Sequence, residues 1–147
     1  MPTPPPSELK KALLAQGFEI YRTHPDRIVL ADRVRENLIM DSGVAAHPGE
    51  TLRVRFVVRA QGSDFPAAAA EELFERARLA GSQAIARGYA EVATATVPVP
   101  DPGDASRTLD VWYEVAFEKS VVDETELASE LRYALALDKT VSAEKRR

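Results

Sequence analysis

Four consecutive runs decide the fold: PAAAAEELFERARLAGSQAIARG at residues 66–88, YAEVATATV at 89–97, PVPDPGDAS at 98–106 and RTLDVWYEVAFE at 107–118. Pro66 to Arg87 is built almost entirely of good helix formers. Ala70, Leu73, Phe74, Ala77, Ala80, Gly81, Ala84 and Ile85 form one stripe at helical spacing. The stripe is rich in small residues, which predicts a helix lying close on a sheet. Ser63 or Asp64 is placed to cap it, Pro66 suits its first turn and Gly88 closes it. Tyr89–Val97 reads as a strand, residues 97–104 as a loop with Pro102-Gly103 at its tip, and Arg107–Glu118 as the return strand. In that strand Leu109, Val111, Tyr113, Val115 and Phe117 alternate with Asp110, Trp112, Glu114, Ala116 and Glu118.

A closing helix follows. Asp123 is an N-cap with Glu126 three residues on, a capping box, and Val122 and Leu127 occupy the hydrophobic-staple positions. Leu127, Leu131, Ala134 and Leu135 then share a face.

The preceding half is punctuated as clearly. Ser7 is the expected N-cap of a short amphipathic helix carrying Leu9, Ala12 and Leu13, ended by Gly17. Phe18–Arg22 and Arg27–Ala31 predict a hairpin turning at His24-Pro25-Asp26. Residues 32–42 fit a weak helix or a strand, and a strand over residues 37–46 is the favoured reading. His47-Pro48-Gly49-Glu50 fits a type II turn. In the strand after it, Leu52, Val54, Phe56, Val58 and Ala60 alternate with Arg53, Arg55, Val57 and Arg59, the pattern of a sheet with one dry and one wet side.

The expectation is an α+β fold: an antiparallel sheet of five to six strands with a long central helix and terminal helices packed on it. Residues 1–6 read as a disordered Pro-rich lead-in, 7–138 as a single domain and 139–147 as a disordered basic tail.

Composition bounds the function. The 147 residues carry a formal charge of −4, which offers no general attraction to nucleic acid or anionic membranes. There is no cysteine, which excludes disulfides, thiolate nucleophiles and cysteine-bound zinc. No uncharged apolar run approaches the roughly 18 residues of a membrane span, and the first residues lack a secretory signal's features. A cytoplasmic setting fits, and abundant Ala, Arg and Val fit a bacterial genome of high GC content.

Catalytic patterns are missing: there is no H-E-x-x-H, G-x-S-x-G, G-x-G-x-x-G or P-loop sequence. His24 and His47 each precede a proline in a predicted turn, where a histidine is usually exposed and inert. Asp101, Asp104 and Asp110 surround the Pro-Gly tip, where turn chemistry accounts for them better than calcium does. The reading is therefore non-catalytic, with no catalytic residue, metal ligand or cofactor. Two features remain as a candidate interface. Arg53, Arg55 and Arg59 share a strand face, either as an anion-binding strip or as partners of carboxylates such as Glu91, Glu114 or Glu118. Trp112 sits among acids on a polar face, as an interface hot spot does unless the chain itself covers it.

The element order over Ser7–Asp138, the Gly88 break into Tyr89-Ala90-Glu91-Val92 and the final Asp123–Asp138 helix resemble the type III secretion chaperone-like fold. That fold runs helix, three strands, helix, two strands, helix; a further strand within residues 27–46 departs from it. The resemblance implies a non-catalytic, dimeric module that binds peptide segments of a protein partner; it carries over no functional residue. The alternative reading is a small-molecule or anion-binding domain, with or without enzymatic activity. Nucleic-acid binding through the arginines and the basic tail ranks last.

Overall fold

The computed structural model describes residues 4–141. It has three α-helices and a seven-stranded sheet, so the α+β class holds. In chain order the elements are α1 (Pro6–Ala15), β1 (Ile20–Thr23), β2 (Ile28–Arg35), β3 (Leu38–His47), β4 (Leu52–Gln61), α2 (Ala70–Gly81), β5 (Ala90–Asp101), β6 (Asp104–Val121), α3 (Glu124–Ala136) and β7 (Thr140–Val141). The strand order is β1-β2-β3-β4-β6-β5, with β7 also paired to β4. The strand favoured over residues 37–46 forms, over Leu38–His47, with Asn37 in the turn before it. The seventh strand is the two-residue β7, parallel to Arg59 and Ala60 of β4.

The chain divides into two compact units. The first runs up to Phe56 and adds Glu118–Leu137. Its core holds Leu9 and Leu13 of α1, Ile28, Leu30, Val44 and Ala46 of β2 and β3, Val54 and Phe56 of β4, and Leu127 and Leu131 of α3. The capping box is present: Asp123 accepts from the Glu126 N–H at 2.8 Å, and Glu126 accepts from the Val122 N–H at 2.8 Å. The staple is not made, because Val122 is 88% exposed.

Gly17 (φ 91°) ends α1, with the Phe18 N–H returning to the Leu13 carbonyl. The helix starts earlier than expected. Pro6 is its first residue, where a missing N–H costs nothing, so the lead-in stops at Pro5. Residues 1–3 of that lead-in lie outside the described residues.

The second unit is Val57–Phe117 with the segment from Asp138. Val58, Ala60, Phe65, Leu73, Ala77, Ala84, Tyr89, Val115 and Phe117 are its core. The small-residue stripe serves the expected purpose. A Cβ built on Gly81 would lie 2.4 Å from the Phe117 ring, so only glycine permits that approach.

The helix is shorter than the predicted 66–87. Ser63 cannot cap it, because its N–H and hydroxyl both bind the Asp110 carboxylate (2.9 and 2.8 Å). After Gly81 the Ser82 hydroxyl binds the Leu79 carbonyl, and the chain tightens into a 3-10 turn over Ser82–Arg87. Gly88 (φ 103°) closes it, with the Tyr89 N–H on the Ala84 carbonyl.

Two further expectations change. Residues 97–101 are strand rather than loop, and β5 reaches a two-residue Pro102-Gly103 turn. Pro98 and Pro100 are tolerated because β5 lies at the sheet edge, where a proline's missing N–H can face outward. The tail does not begin at Lys139, since the Arg59 N–H binds the Lys139 carbonyl and Thr140–Val141 pair with β4. Residues 142–147 lie outside the described residues.

Candidate functional surface

The β4 alternation is realised residue by residue. Leu52, Val54, Phe56, Val58 and Ala60 are buried, and Arg53, Arg55, Val57 and Arg59 are half-buried. The arginines do not form an open anion strip. Arg53 and Arg55 reach Glu118 at 3.3 and 3.8 Å, and Arg59 reaches Glu114 at 3.1 Å. Each arginine is about one-third exposed (34, 35 and 33%), so each pair contributes no more than about 1 kcal/mol. Glu91, the third expected partner, turns instead to Arg78 of α2, whose guanidinium holds its carboxyl below the usual range.

Trp112 is half-buried, and the Arg59 guanidinium lies 3.6 Å from its ring centroid. The chain itself covers the indole, by a side chain on the neighbouring strand. Beside it, burial pushes the Asp110 carboxyl up. Hydrogen bonds from Ser63, Val111 and Trp112 outweigh that and hold it below the carboxylate range. Trp112 is the sole tryptophan, so Arg59→Ala is expected to shift its fluorescence emission to longer wavelength. The same change should cost about 1 kcal/mol in urea denaturation.

His47 differs from its expectation as an exposed turn residue. It is the last residue of β3, opposite Arg53, and only 9% exposed. Gly49 has no positive φ, so the turn after it is not type II. Burial, and then the charges of Arg53 and Arg55, depress the imidazole below its ordinary value of 6.5, against opposing pulls from Glu118 and Asp26. The unfolded chain therefore binds this proton more readily than the folded one. The stability that neutral His47 carries is complete above about pH 6.5 and falls as the pH drops below it. Urea midpoints measured from about pH 7.5 to 5.5 should fall for the wild type and fall less for His47→Gln.

The Asp101 and Asp104 carboxylates are occupied locally. Asp101 accepts from the Gly103 N–H, and Asp104 from the N–H and hydroxyl of Ser106. A hollow of about 270 Å3 opens beside Asp64, Phe65, Pro66, Ala67, Ala68 and Glu72. Its charged groups are acids alone, which suits no anion.

Sequence reasoning missed a group of exposed apolar side chains close together in the chain. In the distal half of the β2–β3 hairpin Val34, Leu38, Ile39 and Met40 are 50, 41, 38 and 52% exposed. The β2–β3 register shifts between Val29 and Ala31, opposite Gly43 (φ 78°), where Asp41 accepts the Gly43 N–H and the Ser42 hydroxyl binds the Leu30 carbonyl. Arg33 is engaged by Glu19 at 2.5–3.1 Å and does not cover the apolar side chains. In sequence Val34, Leu38 and Met40 fit a weak helical stripe, and Leu38 and Met40 also fit one face of a strand with Ile39 on the other. As strand residues, three of them run consecutively from 38 to 40, so neither side of the hairpin tip is purely polar.

Among the described residues no helix is long and apolar enough to cross a membrane. The chain matches no protein-family model, no curated protein and no solved structure.

Proposed function

We propose that the protein is a non-catalytic, chaperone-like adaptor that binds an extended apolar segment of a protein partner and works as a homodimer in the bacterial cytoplasm. The observation that carries this reading is the exposed set Val34, Leu38, Ile39 and Met40 on the distal β2–β3 hairpin. Exposed apolar side chains grouped on one hairpin gain free energy when a partner covers them, and such groups mark contact sites. Leu38 and Ile39 also lie opposite Arg35 and Arg33, so a polar rim is at hand to orient a bound chain.

The element order supports the reading too. It is helix, strands, helix, two strands, helix, as in the type III secretion chaperone-like fold, with four strands in the first group instead of three. The paired state of Arg53, Arg55 and Arg59 argues against the anion-binding alternative.

The test is selection from a displayed library of random peptides. Wild type is expected to enrich segments with alternating apolar residues, and the double variant Ile39→Asp/Met40→Asp, at exposed positions, to lose them without loss of stability. Enrichment indifferent to that variant, or none above background, would overturn the proposal.

A further inference from the structure

We infer that the homodimer forms by antiparallel pairing of β5 with β5 of a second copy, about a two-fold axis at Thr94. The inference deepens the dimeric part of the reading above and rests on it. β5 is the last strand in the order, so among the described residues one side of its backbone has no partner strand. Such an edge is a template for another strand unless something blocks it. Here the block is partial and periodic. Pro98 and Pro100 lie in β5, two residues apart, and their missing N–H groups belong on the outer side. In a strand every second residue directs both its N–H and C=O to the same side. The outward backbone groups are therefore those of Ala90, Val92, Thr94 and Thr96, up to Pro98. That stretch opens at the start of the strand and ends at the first proline, and Thr94 is its midpoint.

The side chains agree with the backbone. Residues 92–97, Val-Ala-Thr-Ala-Thr-Val, carry no charge and no proline. Glu91 is already engaged by Arg78, so no bare charge guards this edge. With the axis at Thr94, paired residue numbers add to 188. Thr94 meets Thr94, Val92 meets Thr96, Ala93 meets Ala95 and Glu91 meets Val97 of the second copy. No like charges oppose, and a threonine pair sits at the centre, a favourable cross-strand combination.

A second copy fits this edge better than a loose peptide does. Its β5 is already held as a strand by its own β6, so the ordering entropy a disordered segment would lose is not at stake.

The absence of cysteine makes the register directly readable. In the full chain, Thr94→Cys should form an inter-chain disulfide under mild oxidation, because directly opposed Cα atoms lie about 5.5 Å apart. Thr96→Cys should not, since its opposite number is residue 92. Thr94→Glu places two carboxylates face to face on the axis. Thr94→Pro removes an outward N–H only, on the same side as Pro98 and Pro100. By light scattering, the wild type should have the mass of a dimer and both variants that of a monomer, with unchanged circular dichroism; Thr94→Glu decides alone if the proline variant misfolds. A wild type monomeric at every concentration, or a dimer that both variants leave intact and Thr94→Cys fails to cross-link, overturns the inference. Peptide selection that survives in Thr94→Glu shows that the hairpin reading stands apart from this one, and its loss in Ile39→Asp/Met40→Asp with the dimer intact shows the converse.

Discussion

Gly81→Ala is expected to lower the unfolding free energy by about 2 kcal/mol, and Gly81→Val by more, although both residues favour a helix over glycine. Two effects oppose. Removing glycine from a helix gains up to about 1 kcal/mol of intrinsic propensity. Against it, the new Cβ would stand 2.4, 2.7 and 3.1 Å from Cε1, Cζ and Cδ1 of Phe117. These are ring atoms of a side chain only 1% exposed, so the ring has nowhere to go. Overpacking of a core costs about 1–3 kcal/mol, and more when the clash is with a rigid ring. The backbone at Gly81, with φ of −91°, suits alanine, so the penalty is steric alone. Urea denaturation of Gly81→Ala in wild-type and Phe117→Leu backgrounds isolates it. The penalty should shrink by about 1 kcal/mol or more in the second, because the smaller side chain vacates the space. Equal penalties in both would place the strain elsewhere.

Lys119→Met should cost about 3 kcal/mol. The Lys119 ammonium lies 3.0 Å from a Glu130 carboxylate oxygen, and the Glu130 side chain is only 6% exposed, on the inner face of α3. Removing the lysine takes from this core carboxylate the cation 3.0 Å away that offsets much of its desolvation. An apolar replacement of both ends behaves differently, since the desolvation penalty then disappears with the charge. Lys119→Met/Glu130→Leu should therefore recover most of the loss. Thermal and urea unfolding of the two singles and the double decide this. A lysine variant as stable as wild type would mean that the pair contributes nothing to the fold.

The same contrast between local and distant causes explains what could be read from the sequence. Where a signal is local it reads correctly. The period of two in Leu52–Ala60 follows from one dry face, and each residue has its expected burial. Gly17, Gly88 and Asp123 end or cap helices by their own backbone geometry or side-chain reach. Where the decisive partner is far along the chain the reading slips. Ser63, an expected cap of α2, is instead held by Asp110, 47 positions away, and the helix starts at Ala70. The strand at Thr140–Val141 exists because Arg59 and Ala60 offer it an edge. Pro98 and Pro100 read as loop until β5 is known to be an edge strand.

The candidate surface divides in the same way. That Arg53, Arg55 and Arg59 share a face is a matter of alternation, and so was legible. Their engagement by Glu118 and Glu114, and the stacking of Arg59 on Trp112, depend on which strand lies alongside β4. The exposed apolar hairpin was hidden because residues 32–42 satisfy a helical and a strand pattern about equally well. Only pairing with β2 decides between them.

The most direct measurement on the adaptor reading is amide hydrogen exchange of the full chain with and without a selected peptide. Protection should rise across residues 33–40, where Val34, Leu38, Ile39 and Met40 are exposed in the free chain. It should stay unchanged in Ile39→Asp/Met40→Asp. Protection confined to the Arg53–Glu118 face, or to the acidic hollow beside Asp64 and Glu72, would contradict the account.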